Sequence, residues 1–201
     1  METSLFIALA GFALVSSITA GPNNLMLMAS GTSFGFARTV PHMLGVAIGF
    51  TVMIVAVGLG MATVLAVVPG LLVVIKWVSV AYLLYLAWRI ATAPAKPLEG
   101  QSGARPMTFL AAAAFQWVNP KAWTMALTAV SAFIPARDPV VGLLIVAATF
   151  GAINLPSVGL WALMGVGLRR LLADPRRLRV FNVLAALTLV ATLWPVVTGR
   201  H

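Results

Sequence analysis

The sequence predicts an all-α integral membrane protein with six transmembrane helices, arranged as two inverted repeats of three helices. Of the 201 residues, 61% are hydrophobic and only 8% are charged, whereas a soluble domain carries about 25% charged residues. A spanning helix needs about 20 apolar residues, and six apolar segments can be distinguished. They are residues 5–29, 40–67, 71–88, 109–133, 140–168 and 180–197.

The six segments form a single transmembrane domain divided into two halves. A polar segment rich in proline and glycine, residues 93–108, separates residues 1–92 from residues 109–201 and is typical of a flexible cytoplasmic surface loop. Each half contains three spans, so the second half must cross the membrane in the opposite direction. This inverted-repeat organisation is found in many transporters.

Basic residues predict the orientation in the membrane. Nine of the 13 Lys and Arg residues fall in the first, third and fifth connectors, and three fall on the other side. Basic connectors lie in the cytoplasm, which places both termini outside. The arginines of residues 169–179 act as this topology anchor or bind anionic membrane lipids. Charges that lie between apolar runs do not indicate a nucleic-acid partner.

Each half opens with a span that proline interrupts. Residues 3–37 carry no formal charge, and a continuous helix of that length would measure about 52 Å, well beyond a hydrocarbon core of about 30 Å. This segment must tilt, break or re-enter. The interrupting residues are Gly21, Pro22, Asn23 and Asn24 in the first half, and Asn119, Pro120 and Lys121 in the second.

Matching interruptions in two halves indicate a transport site. Proline removes a backbone donor and displaces the carbonyl four residues earlier, and the freed groups persist in a membrane only inside protein or facing water. The half-helix after each break presents free N–H groups and a partial positive charge, which suit a carboxylate. The alternative is a kink whose polar groups are satisfied by neighbouring helices.

Lys121 lies in the middle of its predicted span, where a charge costs about 3 kcal/mol on insertion scales. We interpret it as a cation in the cavity that pairs with a substrate carboxylate or exchanges a proton. The alternative is a lysine whose ammonium group is satisfied by the carbonyls that Pro120 frees, or one that reaches the membrane surface.

Four further residues are weaker candidates. Asn154 and Pro156 interrupt the fifth span near its middle, where they face the same cavity or form a helix-packing kink. Gln116, which shortly precedes the second break, is a candidate for the same site. His42 could exchange a proton near neutral pH, although its position beside Pro41 at a helix start is typical of an interfacial residue.

The lack of cysteine and of acidic residues within the predicted spans limits the chemistry of the candidate site. The sequence contains no cysteine and two histidines, so we expect no metal site, and no motif indicates a cofactor. The acidic residues, Glu2, Glu99, Asp138 and Asp174, all lie outside the predicted spans. A cationic substrate would therefore lack a buried counter-charge, and a zwitterionic or anionic ligand fits better.

Two pairs of glycines four residues apart, Gly31 with Gly35 and Gly45 with Gly49, allow close approach of helices. The helices that meet there belong either to one chain or to two copies in a homodimer. The sequence leaves both open.

These motifs together resemble those of the LysE/RhtB family of bacterial amino-acid exporters. The matching stretches are GPNN (21–24), ASG (29–31), FGF (34–36), PHMLG (41–45), QWVNPKAW (116–123) and NLPS (154–157), which cover both halves. The resemblance implies a six-helix exporter of the bacterial inner membrane that removes amino acids or close derivatives from the cytoplasm, driven by the proton motive force. The neutral branch, of the homoserine, threonine, leucine or cysteine type, looks nearer.

The resulting hypothesis is export of neutral amino acids by alternating access around a cavity between the two broken helices, with protons as the coupling ion. The predicted substrate-binding residues are Gly21, Pro22, Asn23, Asn24, Gln116, Asn119, Pro120, Lys121, Asn154 and Pro156. The predicted proton-coupling residues are Lys121 and His42. One alternative is an intramembrane enzyme acting on lipid or polyprenyl phosphate, and another is an exporter of a different small anionic solute.

Overall fold

A computed structural model gives the fold and describes residues 1–61, 63, 67–92 and 105–198. Over these residues the chain is helical, with short turns and without β-strands. The helices are α1 (Thr3–Ile18), α2 (Pro22–Phe34), α3 (Phe36–Ala56), α4 (Pro69–Ala91), α5 (Phe109–Phe115), α6 (Pro120–Phe133), α7 (Pro139–Leu168), α8 (Pro175–Ala191) and α9 (Trp194–Thr198). A π-helical turn, Val57–Met61, continues α3, and a 3-10 turn, Gln116–Val118, continues α5.

The helix starts follow from the local sequence. Proline occupies the first turn of α2, α4, α6, α7 and α8, where its missing N–H group is not needed. Asp138 and Asp174 accept hydrogen bonds from the first backbone N–H groups of α7 and α8, and Thr108 caps α5 in the same way. These two carboxylates therefore act as helix caps outside the apolar segments.

Three helices are long and apolar enough to cross a membrane: Phe36–Met61, Val73–Ala91 and Pro139–Leu168. Helices α1 and α2 pass the same test as a pair and bend by 53° at the break between them, so the described residues contain up to four spans by length and composition. The described part of the chain is all-helical, and its long apolar helices are typical of a membrane protein. Six spans remain a prediction, because neither the α5–α6 pair nor α8 passes this test.

Three details of the predicted organisation are wrong: one connector, one interruption and one helix start. The connector expected at residues 30–39 is absent, because α2 continues to Phe34 and α3 begins at Phe36. Gly35 alone makes this turn with a φ of 79°, a conformation that glycine adopts at little cost. The interruption expected at Asn154–Pro156 is also absent, because α7 continues through it. The last helical segment begins at Pro175 rather than near 180.

Some predictions fall on residues that the structure does not describe. Most of the predicted loop at 93–108, through residue 104, lies outside the described residues. The same holds for residues 62 and 64–66 of the second predicted span and for residues 199–201 at the C-terminus.

Glycines bring two pairs of helices into backbone contact. A Cβ atom on Gly31 of α2 would lie 2.1 Å from the Ala162 carbonyl oxygen of α7, and one on Gly165 would lie 2.0 Å from the Met28 carbonyl oxygen. Gly45 and Gly49 of α3 are similarly close to α5. The contacts at Gly31, Gly45 and Gly49 therefore lie within the chain, whereas nothing lies within 4 Å of the Cβ position at Gly35. The homodimer stays a prediction.

An apolar cluster fills the space between α1, α3, α6 and α7. Phe150 of α7 makes edge-to-face contacts with Phe12 and Phe50, at ring-centroid distances of 6.0 and 5.5 Å. Phe12 also stacks on Phe133 of α6 at 5.6 Å. We call Phe12, Phe50, Phe133 and Phe150 the phenylalanine cluster. It joins both halves of the chain through side chains, whereas α2 and α7 meet through backbone.

Candidate functional site

Residues of both proline breaks line one cavity. It contains about 340 Å³ of empty space, including its open mouth. Its polar lining residues are Ser16, Ser17, Gly21, Asn23, Asn24, Gln116, Asn119, Lys121 and Asn154. Its apolar lining residues are Val46, Phe50, Ala122, Met125 and Val158. The structure thus brings together seven of the ten predicted substrate-binding residues, and their role in binding remains a prediction.

The first break is stabilised by side chains from three helices. Asn24 Nδ2 donates to the carbonyl oxygens of Ser17 and Thr19 at 2.8 and 2.9 Å. Trp161 Nε1 of α7 donates to the Ile18 carbonyl oxygen at 3.0 Å. Three consecutive carbonyls at the C-terminal end of α1 are thereby satisfied, as backbone that is broken inside a membrane requires.

The second break is closed by residues next to it. Asn119 Oδ1 accepts a hydrogen bond from the Lys121 backbone N–H at 3.2 Å and caps α6. Trp123 Nε1 donates to the Trp117 carbonyl oxygen at 2.9 Å. Asn119 therefore has a structural role at the start of α6.

A reciprocal amide pair connects the two breaks. Asn23 Nδ2 donates to Gln116 Oε1 at 2.9 Å, and Gln116 Nε2 donates back to Asn23 Oδ1 at 3.3 Å. Gln116 Nε2 also donates to the Ala112 carbonyl oxygen at 2.9 Å. Because these amides bind each other, they hold the two halves of the chain together at the cavity.

Lys121 extends from the second break to the first. Its Nζ donates to the Thr19 carbonyl oxygen at 2.7 Å, and its side chain lies against Gly21, where an added Cβ would be 2.8 Å from Lys121 Cδ. A cation is favourable at the C-terminal end of α1. The ammonium group has three donors, so the contact with Thr19 leaves donors for a ligand, and the lining of this cavity contains no Asp or Glu.

Two polar side chains in the cavity wall remain without partners among the described residues. Ser17 is 4% exposed and its Oγ forms no hydrogen bond. Asn154 is 5% exposed, borders the cavity and forms no side-chain hydrogen bond within the described part of the chain. Buried polar groups normally find a partner, so the lack of one among the described residues makes both side chains candidates for ligand binding.

The three predicted prolines do not line the cavity. Pro22 is buried and Pro120 is half-buried, and both begin helices next to it. Pro156 lies on an exposed face of α7. The first two prolines therefore shape the site without contacting its interior, and the structure gives Pro156 no place in the cavity.

His42 lies inside the protein rather than at its surface, so the interfacial interpretation is wrong. It is 1% exposed, and neither Nδ1 nor Nε2 has a hydrogen-bond partner among the described residues. Val46, one helical turn later on the same face of α3, lines the cavity. His42 is thus placed one turn away from the candidate site.

Ser16, Ser17, Trp161 and the apolar wall were not among the predicted site residues. The two serines could have been found, because adjacent hydroxyls shortly before Gly21 are unusual in an apolar helix. Trp161 had no comparable signal, because its bond to Ile18 joins residues that are distant in the sequence.

A polar cavity between two broken helices of a membrane-embedded bundle is typical of a small-molecule transporter. Residues 14–192 match the family model described as LysE type translocator. The chain belongs to this family. It is therefore a transmembrane transporter and not an enzyme, which excludes the enzyme alternative.

Similar proteins have an efflux function. The cysteine/O-acetylserine efflux proteins of Escherichia coli strain K12 and Shigella sonnei strain Ss046 are each 35% identical to this chain over 196 residues, which cover 94% of this chain and 96% of theirs. The protein of the same name from Shigella flexneri is 35% identical over 185 residues, with coverage of 89% and 90%. No solved structure matches the chain significantly.

Proposed function

We propose that this protein exports neutral amino acids or close derivatives from the cytoplasm across the bacterial inner membrane, driven by the proton motive force. The observation that carries the proposal is the single cavity at both proline breaks, with one cation and no carboxylate in its lining. The names of the similar proteins support a substrate such as cysteine or O-acetylserine. Both molecules are small and have uncharged side chains.

The proposed architecture is six spans in two inverted repeats. The order of elements supports it, because each half contains a helix, a break, a second short helix, a long helix and a final helix. In this arrangement α1–α2 and α5–α6 are the two broken spans. The basic residues near the helix ends, including Arg38 in the first turn of α3 and the arginines of residues 169–179, lie in the cytoplasm, and both termini are periplasmic.

The proposed binding mode places the substrate carboxylate at Lys121 and the first turn of α2. Gly21 precedes this helix without a side-chain cap, so its first N–H groups add to the positive charge. Gln116, Asn23, Asn24 and Asn119 shape the polar wall, and neutral oxygen atoms of the cavity accept hydrogen bonds from the substrate ammonium group.

Alternating access requires that the two ends of the cavity open in turn. In the proposed mechanism the phenylalanine cluster, whose side chains can change rotamer, forms the closure at one end. The backbone contact between α2 and α7 forms the closure at the other end. We propose that the halves rock about the amide pair of Asn23 and Gln116 between these two closures.

Transport by the purified protein in liposomes tests this function. Vesicles loaded with L-[³⁵S]cysteine and a reducing agent should lose label faster than protein-free vesicles, and an acidic exterior or an imposed potential should accelerate the loss several-fold. Loss of label equal to that of protein-free vesicles would overturn the export proposal. Equal efflux with and without both gradients would overturn the energy coupling alone.

His42→Gln is expected to remove acceleration by the pH gradient while counterflow of cysteine stays within about twofold of wild type. Glutamine keeps a polar side chain in the buried position but carries no proton near neutral pH. Of the helices packed against α3, namely α2, α5, α6 and α7, only α6 carries an ionisable residue, Lys121. A full response of H42Q to the pH gradient would exclude His42 as the proton carrier, and an equal loss of counterflow and gradient response would indicate a structural role.

A further inference from the structure

The wall of the cavity contains polar groups of two kinds. Asn23 and Gln116 bind each other, Asn24 Nδ2 donates to two backbone carbonyls, and Asn119 Oδ1 caps α6. These hydrogen bonds stabilise the two breaks. The side chains of Ser17 and Asn154 form no hydrogen bond among the described residues.

These two side chains come from different helices that pack together. Ser17 lies in the last turn of α1, and Asn154 lies near the middle of α7. Both line the same cavity as Lys121. A hydroxyl oxygen and an amide oxygen each accept hydrogen bonds, and an ammonium group has three N–H donors but accepts none.

We propose that Ser17 Oγ and Asn154 Oδ1 form the subsite for the α-ammonium group of the substrate. This inference rests on the proposed function, in which Lys121 binds the carboxylate. The subsite contains neutral oxygens and no carboxylate, so it binds an isolated ammonium group weakly. It holds the ammonium group of a molecule whose carboxylate also pairs with Lys121.

The subsite also explains a preference for neutral amino acids. A substrate with a second cationic group would place that group in a cavity whose lining contains no acidic residue. A charge buried without a partner is costly. Lysine and arginine are therefore excluded by the absence of a counter-charge, independently of their size.

Three ligands of closely related shape distinguish binding at the carboxylate subsite from binding at the ammonium subsite. L-cysteine has both groups, 3-mercaptopropionate lacks the ammonium group, and cysteamine lacks the carboxylate. Each is used to inhibit counterflow of L-[³⁵S]cysteine in liposomes under reducing conditions. For the wild type we expect cysteine to inhibit at least about tenfold more strongly than either analogue, because hydrogen bonds to charged groups are the strong ones.

Ser17→Ala and Asn154→Leu should each weaken inhibition by cysteine about tenfold or more and leave inhibition by 3-mercaptopropionate within about twofold of wild type. Ser157→Ala is the matched control on α7, because its hydroxyl donates to the Ile153 carbonyl oxygen of the same helix and does not line the cavity. Ser157→Ala should change neither the inhibition by cysteine nor the inhibition by 3-mercaptopropionate. The ratio of the two inhibition constants is measured within one variant and does not depend on the fraction of protein that folds.

Asn154→Asp tests the same subsite by a gain of binding. A carboxylate at this position should strengthen inhibition by cysteamine at least about tenfold and weaken inhibition by 3-mercaptopropionate. This variant keeps the shape of asparagine, so it remains informative if Asn154→Leu folds poorly.

The outcomes distinguish the subsite from the function. If the wild type shows no counterflow of cysteine, the proposed function fails. If cysteine is transported but the Ser17 and Asn154 variants weaken cysteine and 3-mercaptopropionate equally, the ammonium subsite is wrong while export stands. Equal inhibition of the wild type by cysteine and 3-mercaptopropionate would also overturn the subsite and would favour an exporter of small anions.

Discussion

Gly165→Ala is expected to lower the midpoint of thermal unfolding in detergent by about 6–12 °C. A Cβ atom at this position would lie 2.0 Å from the Met28 carbonyl oxygen and 2.9 Å from the Thr32 backbone nitrogen of α2. Overpacking costs about 1–3 kcal/mol where side chains can move, and here the obstacle is backbone. A loss of about 3 kcal/mol corresponds to this change in midpoint for a chain of this size.

Gly167→Ala is the matched control on the same helix. No atom lies within 4 Å of the Cβ position at Gly167, and replacing glycine by alanine in a helix favours folding by about 0.4–1 kcal/mol. Its midpoint should therefore equal that of the wild type or exceed it slightly. Similar midpoints for the two variants would contradict the close contact between α2 and α7.

Lys121→Ala is expected to reduce the affinity for cysteine at least about thirtyfold while the protein folds and inserts normally. Removing one partner of a buried charge pair costs about 2–5 kcal/mol, and each 1.4 kcal/mol is a factor of ten in affinity. Inhibition by cysteamine, which has no carboxylate, should be nearly unchanged. Wild-type efflux by K121A would leave Lys121 as part of the scaffold.

Gly21→Ala tests the position of the Lys121 side chain without replacing the lysine. The new methyl group would lie 2.8 Å from Lys121 Cδ and 3.2 Å from Nζ, and a flexible side chain can move away from it. Gly11→Ala on α1 is the control, because nothing lies within 4 Å of that Cβ position. We expect cysteine to inhibit G21A more weakly than the wild type. Inhibition of G11A by cysteine should equal that of the wild type.

The general organisation of the protein could be predicted from the sequence because it depends on local properties. Low charge and long apolar segments indicate a membrane protein, and proline within such segments indicates broken helices. The structure places the two breaks at one cavity, together with Lys121. The turn at Gly35 could not be separated from a longer connector, because a single residue with positive φ leaves no pattern in hydropathy.

The roles of individual site residues could not be predicted, because they depend on tertiary contacts. Asn23 and Gln116 bind each other across 93 positions of sequence, and the Lys121 ammonium group lies at the first break rather than at its own. Asn154 and Pro156 predicted an interruption of the fifth span, yet α7 continues through it and places Pro156 on an exposed face. His42 looked interfacial beside Pro41, but neighbouring helices enclose it.

The hydrogen bond between Lys121 Nζ and the Thr19 carbonyl oxygen also bears on the unloaded protein. In the proposed cycle the carrier returns without substrate, carrying only the coupling proton, and an ammonium group left without any partner would oppose that return. In the proposed binding mode, the Thr19 carbonyl at the end of α1 partners the ammonium group once the substrate carboxylate has left. The substrate-free carrier would then return without a cation that lacks any partner.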